Sequence, residues 1–394
     1  MQKKKTIGLV VAQPPIYTET FLMSKIQNLI DDGFEVVIFS NLNRANNTQA
    51  PLYSSYTELS IFKLMYNIPY IVFKIIQNFK AISKYKKYIN TQYSSTVSKY
   101  KNIYSNLHIL FNPVDHLHFE FSVLAVDKEY VAKSMGAKMT VSFRGYDVSI
   151  SILKNKGLFN TVWQNIDGVH TISNDLVKRA LKHGMNPNTP VAKITPAINL
   201  SNFKPANVVW GNVLHITTTG RVSWKKGFQY VFAALAILKK QDINFQYHII
   251  GGFEEPEKEE FLFLVQHHQL QNDITFHDKM NREQLNEILD QTHIYIQYSV
   301  QEGFCNAAIE AQAKGLLTIV SDAGGLPENV ENDKSGWVVP KRNSVALANK
   351  IVEVYMMSNE KKKEFSENAM IHVSRNFDIR KQQDLFREFF NQAS

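Results

Sequence analysis

Apolar runs that alternate with helical segments along nearly the whole chain most constrain how it can fold. Each run is long enough for one buried strand, and strands separated by helices pair in parallel because the helix carries the chain back along the sheet. The alternation therefore predicts an α/β fold with doubly wound parallel sheets. The predicted strands are 6–12, 35–40, 116–121, 138–143, 168–173 and 191–195, then 213–219, 244–250, 274–277, 293–298, 316–321 and 336–339.

One segment, 196–205, breaks the alternation with two prolines and no periodicity. The chain has 394 residues, enough for two domains of about 150 to 200 residues each. We therefore place a domain boundary at this segment and predict one parallel sheet on either side of it.

Two carboxylates, Glu302 and Glu310, bracket a short loop and the first turn of a helix between two predicted strands. In a strand–loop–helix unit the loop lies at the carboxyl edge of the sheet, where open α/β folds bind ligands. The exposed N–H groups at the helix start suit a phosphorylated or polyhydroxylated ligand. One carboxylate could hold a hexose and the other a ribose, so the spacing indicates a nucleotide sugar.

A glycine-flanked basic turn, Gly220 to Gly227, follows the predicted strand 213–219 and precedes a helix. It carries Arg221 and Lys226 toward the helix start, where two cations could cradle a diphosphate without a metal. The alternative is a solvated β–α connection with no ligand. The pairing of this turn with the Glu302 to Glu310 element favours the diphosphate.

Together these motifs resemble those of the family 4 glycosyltransferases, retaining enzymes of the GT-B architecture. The resemblance implies two Rossmann-like domains that face each other across a cleft, with the donor on the C-terminal domain and the acceptor on the N-terminal one. It also implies that the last helix crosses back, so that the N-terminal domain takes 1–197 with about 377–394 and the C-terminal domain takes 198–376. The matching motifs are Gly220-Arg221, Lys226-Gly227, 249–252, 302–310, 324–328 and 336–340.

The resemblance assigns roles around the donor. Arg221 and Lys226 would neutralise the diphosphate and stabilise it as the leaving group, Glu310 would accept from the ribose hydroxyls, and Glu302 would hold the sugar together with backbone N–H groups of 304–306. The strand end 277–280 would border the base. The implied donor-binding set is Gly220, Arg221, Lys226, Gly227, Gly251, His277, Met280, Gly303, Phe304, Cys305, Asn306 and Glu310.

The loop after the first strand resembles a variant found in relatives that build bacterial surface polysaccharides. Tyr17 and Thr18 stand where a glycine-rich loop is more familiar, and the resemblance implies that they and Glu19 contact the acceptor. For Glu19 the alternative is a carboxylate that only complements a helix dipole.

Catalytic roles are implied for Glu302, His118, Arg144 and Asp147. His118 ends a predicted strand, and the alternative is a hydrogen-bonded core histidine. Arg144 stands where many relatives carry a histidine, which removes a candidate base and supplies a cation for a phosphate or an acidic acceptor. Asp147 would orient Arg144. The resemblance further implies front-face substitution, in which Glu302 positions the sugar and is not a nucleophile.

The chain has one cysteine, Cys305, which excludes an intramolecular disulfide and fits a reducing cytoplasm. We interpret Cys305 as a small residue that fills the loop, since no histidine partner is adjacent in sequence. No aspartate cluster resembles a metal site, so we predict no metal and no cofactor. No apolar run approaches the roughly 18 residues of a transmembrane helix.

Residues 59–114 contain eight lysines and no acidic residue, with aromatic residues interleaved. Such a stretch can bind anionic lipid head groups. The alternatives are nucleic acid, or a helical insertion whose lysines solvate one face while its aromatics pack on the core. We predict that 59–110 is a basic helical insertion that contacts an anionic membrane surface, and that nucleic acid is not a partner.

The sequence thus predicts a metal-independent glycosyltransferase that moves a hexose-type sugar from a nucleotide sugar, UDP-sugar favoured, to a lipid-linked or polysaccharide acceptor. It would be cytoplasmic and peripheral on the inner face of the cell membrane. Two rivals stay open: a nucleotide-sugar epimerase of GT-B fold, and a donor-binding module without turnover.

Overall fold

A computed structural model of the chain describes residues 4–14, 20–42, 48–58, 61–253 and 257–392. The chain divides into two compact units. Unit 1 comprises residues 1–194 and 383–394, and unit 2 comprises residues 195–382. The division falls within a few residues of the predicted boundary at 197/198.

Unit 1 is built on a parallel sheet with the strand order β3-β2-β1-β4-β5-β6-β7. Its inner strands are apolar and buried on both faces, as expected where helices cover both sides of a parallel sheet. The strands are β1 (Thr6–Val11), β2 (Glu35–Ser40), β3 (Leu52–Ser54), β4 (His116–Phe119), β5 (Lys138–Phe143), β6 (Gly168–Thr171) and β7 (Val191–Lys193).

The helices of unit 1 connect these strands. They are α1 (Thr20–Asp31), α2 (Ile61–Gln77), α3 (Phe79–Ile89), α4 (Thr96–Leu110), α5 (Val131–Met135), α6 (Ile152–Lys154), α7 (Asn160–Asn165) and α8 (Asn174–Lys182). Short helical turns cover Tyr56–Glu58 and Ser122–Ala125, and a wide turn covers Asp147–Ser151.

Unit 2 repeats the scheme with a parallel sheet in the order β10-β9-β8-β11-β12-β13. The strands are β8 (Leu214–Thr219), β9 (Phe245–Ile250), β10 (Ile274–His277), β11 (Ile294–Gln297), β12 (Leu317–Ser321) and β13 (Trp337–Val339). The helices are α9 (Phe228–Lys240), α10 (Lys258–His267), α11 (Arg282–Leu289), α12 (Asn306–Ala313), α13 (Ser344–Tyr355) and α14 (Asn359–Asn376), with short turns at Leu200–Asn202, Trp224–Lys226 and Leu326–Asn329.

The last helix, α15 (Ile379–Gln392), starts in unit 2 and ends in unit 1. Its residues Phe386, Phe389 and Phe390 are buried in the core of unit 1, in one cluster with Ile7 and Leu9 of β1. The predicted return of this helix to the N-terminal domain is thereby confirmed.

Two local predictions differ from the structure. Strand β3 is only three residues long and gives no readable alternation, so the sequence did not indicate it. The sequence of 123–135 favours one continuous helix, but the structure interrupts it at Asp127, whose φ of 63° lies in the left-handed region and ends helical geometry. Among the described residues, no helix has both the length and the apolar composition that crossing a membrane requires.

Candidate active site

The predicted donor residues of unit 2 lie at the topological switch point of its sheet. Strands β9 and β10 extend from one side of β8, while β11, β12 and β13 extend from the other. Open parallel sheets bind ligands at such a point, beyond the carboxyl ends of the two strands where the order reverses. Gly220 follows β8 directly and Glu302 follows β11, so the two predicted motifs flank this point.

Glycines allow the strand ends and the basic turn to pack closely. The N–H of Gly220 donates to the carbonyl of Ile250, and the N–H of Gly251 donates to that of His277, which joins the ends of β8, β9 and β10. Gly251 has a φ of 138°, and a Cβ there would overlap the carbonyl of Gly220. Gly227 has a φ of 68°, and a Cβ there would overlap the carbonyl oxygen of Tyr298 at the end of β11. Only glycine satisfies both the conformation and the space.

Lys226 and Glu302 form an ion pair across the switch point. Lys226 Nζ lies 2.6 Å from Glu302 Oε2, and both side chains are about one-fifth exposed. The methylene end of Lys226 also lies against Gly220, and Ser299 Oγ donates to Glu302 Oε2 at 3.3 Å. Burial alone would lower the pKa of Lys226, but its acidic neighbours, the Glu302 carboxylate among them, outweigh burial and raise that pKa. The lysine is therefore a fixed, charged ammonium.

The loop after Glu302 is held by a residue that the sequence did not indicate. Asn329 is fully buried, accepts from the N–H of Cys305 at 3.3 Å and donates to the carbonyl of Cys305 at 2.9 Å. The N–H of Cys305, predicted to face a sugar hydroxyl, thus has a protein acceptor in this structure. The signal in the sequence was only an asparagine shortly after the 324–328 motif.

Cys305 is buried, and burial raises the pKa of its thiol to about 11. A thiol with this pKa is protonated at neutral pH, and the protonated form is a poor nucleophile. The position agrees with a residue that fills the loop. Phe304 is also buried, with its ring 5.5 Å from that of Phe377, so this residue presents backbone and not side chain to a ligand.

Glu310 lies within the first turns of α12, where burial raises the pKa of its carboxyl and Arg282 opposes that shift. Arg282 begins α11 and was not predicted as a site residue. At the end of β10, His277 Nε2 lies 3.1 Å from His248 Nδ1, and burial lowers the pKa of His277. The remaining predicted donor residues fit the same edge: Gly303 and Met280 are half-buried, while Arg221 and Asn306 are exposed.

Unit 1 has a second polar cluster, at the carboxyl ends of β4 and β5 beside the switch point between β1 and β4. The Arg144 guanidinium donates to Glu120 Oε2 at 2.7 Å and lies 4.6 Å from the centre of the Phe21 ring. The other oxygen of Glu120 accepts from Lys25 at 2.5 Å. Neither Glu120 nor Lys25 was predicted, and both are almost completely buried. Arg144 is the member with an exposed edge, at 17%.

His118 lies below this cluster and has no exposed surface. Its two ring nitrogens hydrogen-bond to Thr140 and Ser142, and the rings of Phe389 and Phe390 pack against it. Burial lowers the pKa of His118 well below its ordinary value, so the ring is neutral. This placement favours the core-histidine alternative, because a side chain with no exposed surface has no contact surface for a substrate.

Asp147 is buried at the start of the wide turn after β5 and organises the local backbone. Its carboxylate accepts from the N–H groups of Arg144 and Gly145 and from the hydroxyl of Ser122. It therefore holds the backbone from which Arg144 extends, while the Arg144 guanidinium itself contacts Glu120. The catalytic role of Asp147 stays a prediction. Tyr17, Thr18 and Glu19 lie outside the described residues.

Within the described ranges, no group of three or more histidine, cysteine, aspartate or glutamate side chains is placed to hold a metal ion. Metal independence stays a prediction to be tested in solution.

The second half of the chain matches a known protein family. Residues 206–372 match the family described as glycosyl transferases group 1. The chain is also 25% identical over 370 residues to WcaL of Escherichia coli K12, whose name assigns it to colanic acid biosynthesis as a glycosyltransferase; the match covers 88% of this chain and 89% of that protein. The amylovoran biosynthesis glycosyltransferase AmsK of Erwinia amylovora is 24% identical over 368 residues, with 85% and 87% covered.

Solved structures show the same fold. The Anabaena protein Alr3699/HepE in complex with UDP superposes with a TM-score of 0.71 at 15% identity, covering 98% of this chain and all of that one. The same protein with UDP-glucose gives a TM-score of 0.68 at 15% identity, over 98% and 99% of the two chains. The GT-B fold predicted from the sequence motifs is confirmed.

Proposed function

We propose that this chain, whose residues 206–372 match the glycosyl transferases group 1 family and whose fold is that of the Anabaena protein in complex with UDP, transfers a hexose-type sugar from a UDP-sugar to a lipid-linked or polysaccharide acceptor. The observation that carries the proposal is the Lys226–Glu302 ion pair at the switch point of unit 2. It places one cation and one carboxylate where an open parallel sheet binds its ligand.

The cations account for binding and departure of a nucleoside diphosphate. Lys226 is charged and already positioned, and Arg221 is exposed on the same turn. When the bond between the anomeric carbon and the diphosphate breaks, negative charge develops on the phosphate oxygens. Cations that already contact the diphosphate in the donor complex stabilise that charge without further reorganisation, which is usually a large catalytic contribution. UDP in the Anabaena relative supports uridine as the nucleotide.

The Lys226–Glu302 pair also links binding of the donor's diphosphate to binding of its sugar. Without donor, the carboxylate of Glu302 neutralises Lys226 at 2.6 Å. A diphosphate carries more negative charge than one carboxylate and competes for the ammonium. Once Lys226 turns to the phosphate, Glu302 is released to accept from sugar hydroxyls.

This exchange predicts a split between nucleotide and sugar affinity. Glu302→Gln keeps or raises affinity for UDP, because Lys226 loses its competing partner. It lowers by about tenfold the additional affinity of the UDP-sugar over UDP, because a hydrogen bond to a charged group contributes about 1.5 to 3 kcal/mol and the neutral one that replaces it about 0.5 to 1.5 kcal/mol. Calorimetric titration with both ligands measures the split. Equal losses for UDP and UDP-sugar would contradict the exchange.

For the transfer step we propose front-face substitution with retention of configuration. The acceptor hydroxyl attacks on the face from which UDP departs, its oxygen forms the new bond to the anomeric carbon, and its proton passes to a departing phosphate oxygen. Glu302, released by Lys226, positions the sugar. Cys305 is a neutral thiol and takes no part as a nucleophile. The reaction needs neither a metal nor a cofactor.

In unit 1, Arg144 would bind an anionic group of the acceptor. Its guanidinium is held by Glu120 and by the face of Phe21, and its exposed edge leaves donors for a phosphate. A diphosphate-linked lipid acceptor supplies such a group, and the relatives WcaL and AmsK are named for polysaccharide biosynthesis. The enzyme would act at the inner face of the cell membrane, to which its basic insertion directs it.

The test uses UDP-glucose, UDP-galactose and their N-acetylated forms with a polyprenyl diphosphate-linked monosaccharide in micelles, in the presence of a chelator. We expect UDP release that depends on the acceptor and a glycosylated lipid as product. Release of a new nucleotide sugar or of free sugar without acceptor would indicate the epimerase instead. Binding of UDP without any product would indicate a donor-binding module.

A further inference from the structure

Helix α2 is packed differently from the two helices that follow it in the basic insertion. Helices α3 and α4 are tied to unit 1 through Tyr85, Asn102 and Asn106, whose side chains meet each other and the carbonyl of Asp127 in a buried network. In α2, Ile71 is the one buried side chain among those described from Met65 to Gln77. The helix therefore has a long face without a protein partner in the described structure.

That face is made of large apolar and aromatic side chains. Met65 is 62% exposed, Tyr66 87%, Phe73 55% and Ile76 69%. At about 100° per residue the exposed positions cover an arc of roughly 200° of the helix surface. Soluble monomers rarely expose an apolar patch of this extent unless it binds something. Three more exposed members complete the face, Ile68, Tyr70 and Val72.

The charges around the helix select the partner. The insertion contains no acidic residue between 59 and 114, and Lys80, Lys84, Lys87 and Lys101 are exposed on α3 and α4. A second copy would bring equal positive charge to the same surface and be repelled. Nucleic acid has no apolar region that would bury a helix face of methionine, isoleucine and valine side chains. An anionic lipid surface satisfies both features, since its acyl boundary receives the apolar face and its head groups pair with the lysines.

We propose that α2 lies in the interface of an anionic bilayer, with Met65, Tyr66, Phe73 and Ile76 buried at the boundary between head groups and acyl chains. Lysines of α3 and α4 then contact lipid phosphates. Helix α2 begins a few residues after the carboxyl end of β3, and that is the edge of the sheet at which Arg144 and Glu120 lie. When α2 is bound in this way, the sheet edge of unit 1 that carries Arg144 and Glu120, where the acceptor would bind, lies on the membrane side. Membrane binding through α2 would bring the enzyme to a lipid-linked acceptor, so this inference rests on the proposed function.

Vesicle binding tests the proposal on the full chain. Sedimentation is measured with phosphatidylcholine vesicles, with and without phosphatidylglycerol, for wild type and for the triple variant Tyr66→Ser, Phe73→Ser and Ile76→Ser. The matched control exchanges three equally exposed apolar residues of unit 2, Phe263, Val345 and Met356, for serine. We expect wild type and control to bind the anionic vesicles alike and the α2 variant to lose about tenfold or more in partition coefficient.

Three results would overturn the inference. Wild type that stays in solution with anionic vesicles, or an α2 variant that binds as well as wild type, excludes the helix as an anchor. A wild-type dimer in sedimentation velocity that the α2 variant converts to monomer would assign the face to a second copy. The thermal shift with UDP is recorded for every variant, because an unchanged shift shows an intact donor site and separates failure of this inference from failure of the proposed function.

Discussion

Glu120→Gln is the substitution for which the structure predicts the largest and most diagnostic effect in unit 1. The Glu120 and Lys25 side chains are 3% and 1% exposed, with 2.5 Å between Oε1 and Nζ. Arg144 Nη2 contacts the other carboxylate oxygen at 2.7 Å. Glutamine keeps the shape and removes the charge, which leaves the Lys25 ammonium buried between the rings of Phe386 and Phe390 without a counter-charge.

The magnitude follows from the pKa of Lys25. Burial lowers this pKa to about 8 even with Glu120 present. Without Glu120 it falls further, so that Lys25 loses its proton at neutral pH. Deprotonating Lys25 at pH 7 from a pKa of about 8 accounts for about 1.4 kcal/mol of the loss. The rest is the lost pairing, and breaking a buried ion pair by removing one partner typically costs about 3 to 5 kcal/mol in all. For a unit of about 200 residues this lowers the melting temperature by roughly 10 °C.

The pH dependence has a definite sign. In the wild type the folded pKa of Lys25 is lowered to about 8, so the unfolded chain binds more protons than the folded one only above that pH. Stability from this group is then flat below about pH 8 and rises above it. In the variant the folded pKa of Lys25 is lower still, so its stability already rises with pH below pH 8, by at most about 1.4 kcal/mol per pH unit. The difference in the free energy of unfolding between variant and wild type therefore narrows as the pH is raised.

Calorimetric melts at several pH values measure both quantities, and hydrogen exchange of peptides from unit 1 assigns the transition. The double variant Lys25→Met with Glu120→Gln is the control, because it removes both buried charges and should recover most of the lost stability. A Glu120→Gln variant within about 1 kcal/mol of wild type would refute the reasoning. So would a loss that neither changes with pH nor responds to Lys25→Met.

Two further predictions concern unit 2. Gly227→Ala should destabilise the chain by several kcal/mol in denaturant titrations, because the new Cβ overlaps the carbonyl of Tyr298. The control is Gly136→Ala in unit 1, which has a similar φ of 79° and open space and should cost only about 1 kcal/mol. Similar losses in the two variants would show that the overlap is unimportant. The thiol of Cys305, with its pKa raised to about 11 by burial, should react with a disulfide reagent at pH 8 far more slowly in the folded than in the unfolded protein, and equal rates would contradict its burial.

The sequence predicted the elements of unit 2 well because each strand is an apolar run bounded by glycine or polar turns. Strands β8, β9 and β10 are observed within one residue of the predicted ends. The donor motifs follow these strands directly, so their meeting at one sheet edge followed from the parallel topology. Short elements without a pattern, such as β3, gave no signal.

What the sequence could not reveal are contacts between distant residues. Lys25 and Glu120 are 95 residues apart, and each is unremarkable in its own segment. His118 has the sequence setting of a cleft residue, yet α15 covers it with Phe389 and Phe390 from the far end of the chain. Asn329 hydrogen-bonds to Cys305 from the other side of α12 and β12 in the sequence, 24 positions further along the chain. Each depends on packing that no local pattern encodes.

Binding of UDP to wild type and to Lys226→Met, measured by thermal shift in the presence of a chelator, tests most directly that the Lys226–Glu302 site of unit 2 is a metal-independent donor site. At 100-fold its dissociation constant, UDP should stabilise the wild type by about 2.7 kcal/mol, a shift of roughly 5 to 10 °C for a unit of this size. We expect this shift for the wild type and its loss in Lys226→Met. A wild type that UDP leaves unshifted, or a Lys226→Met variant that binds UDP equally well, would contradict it.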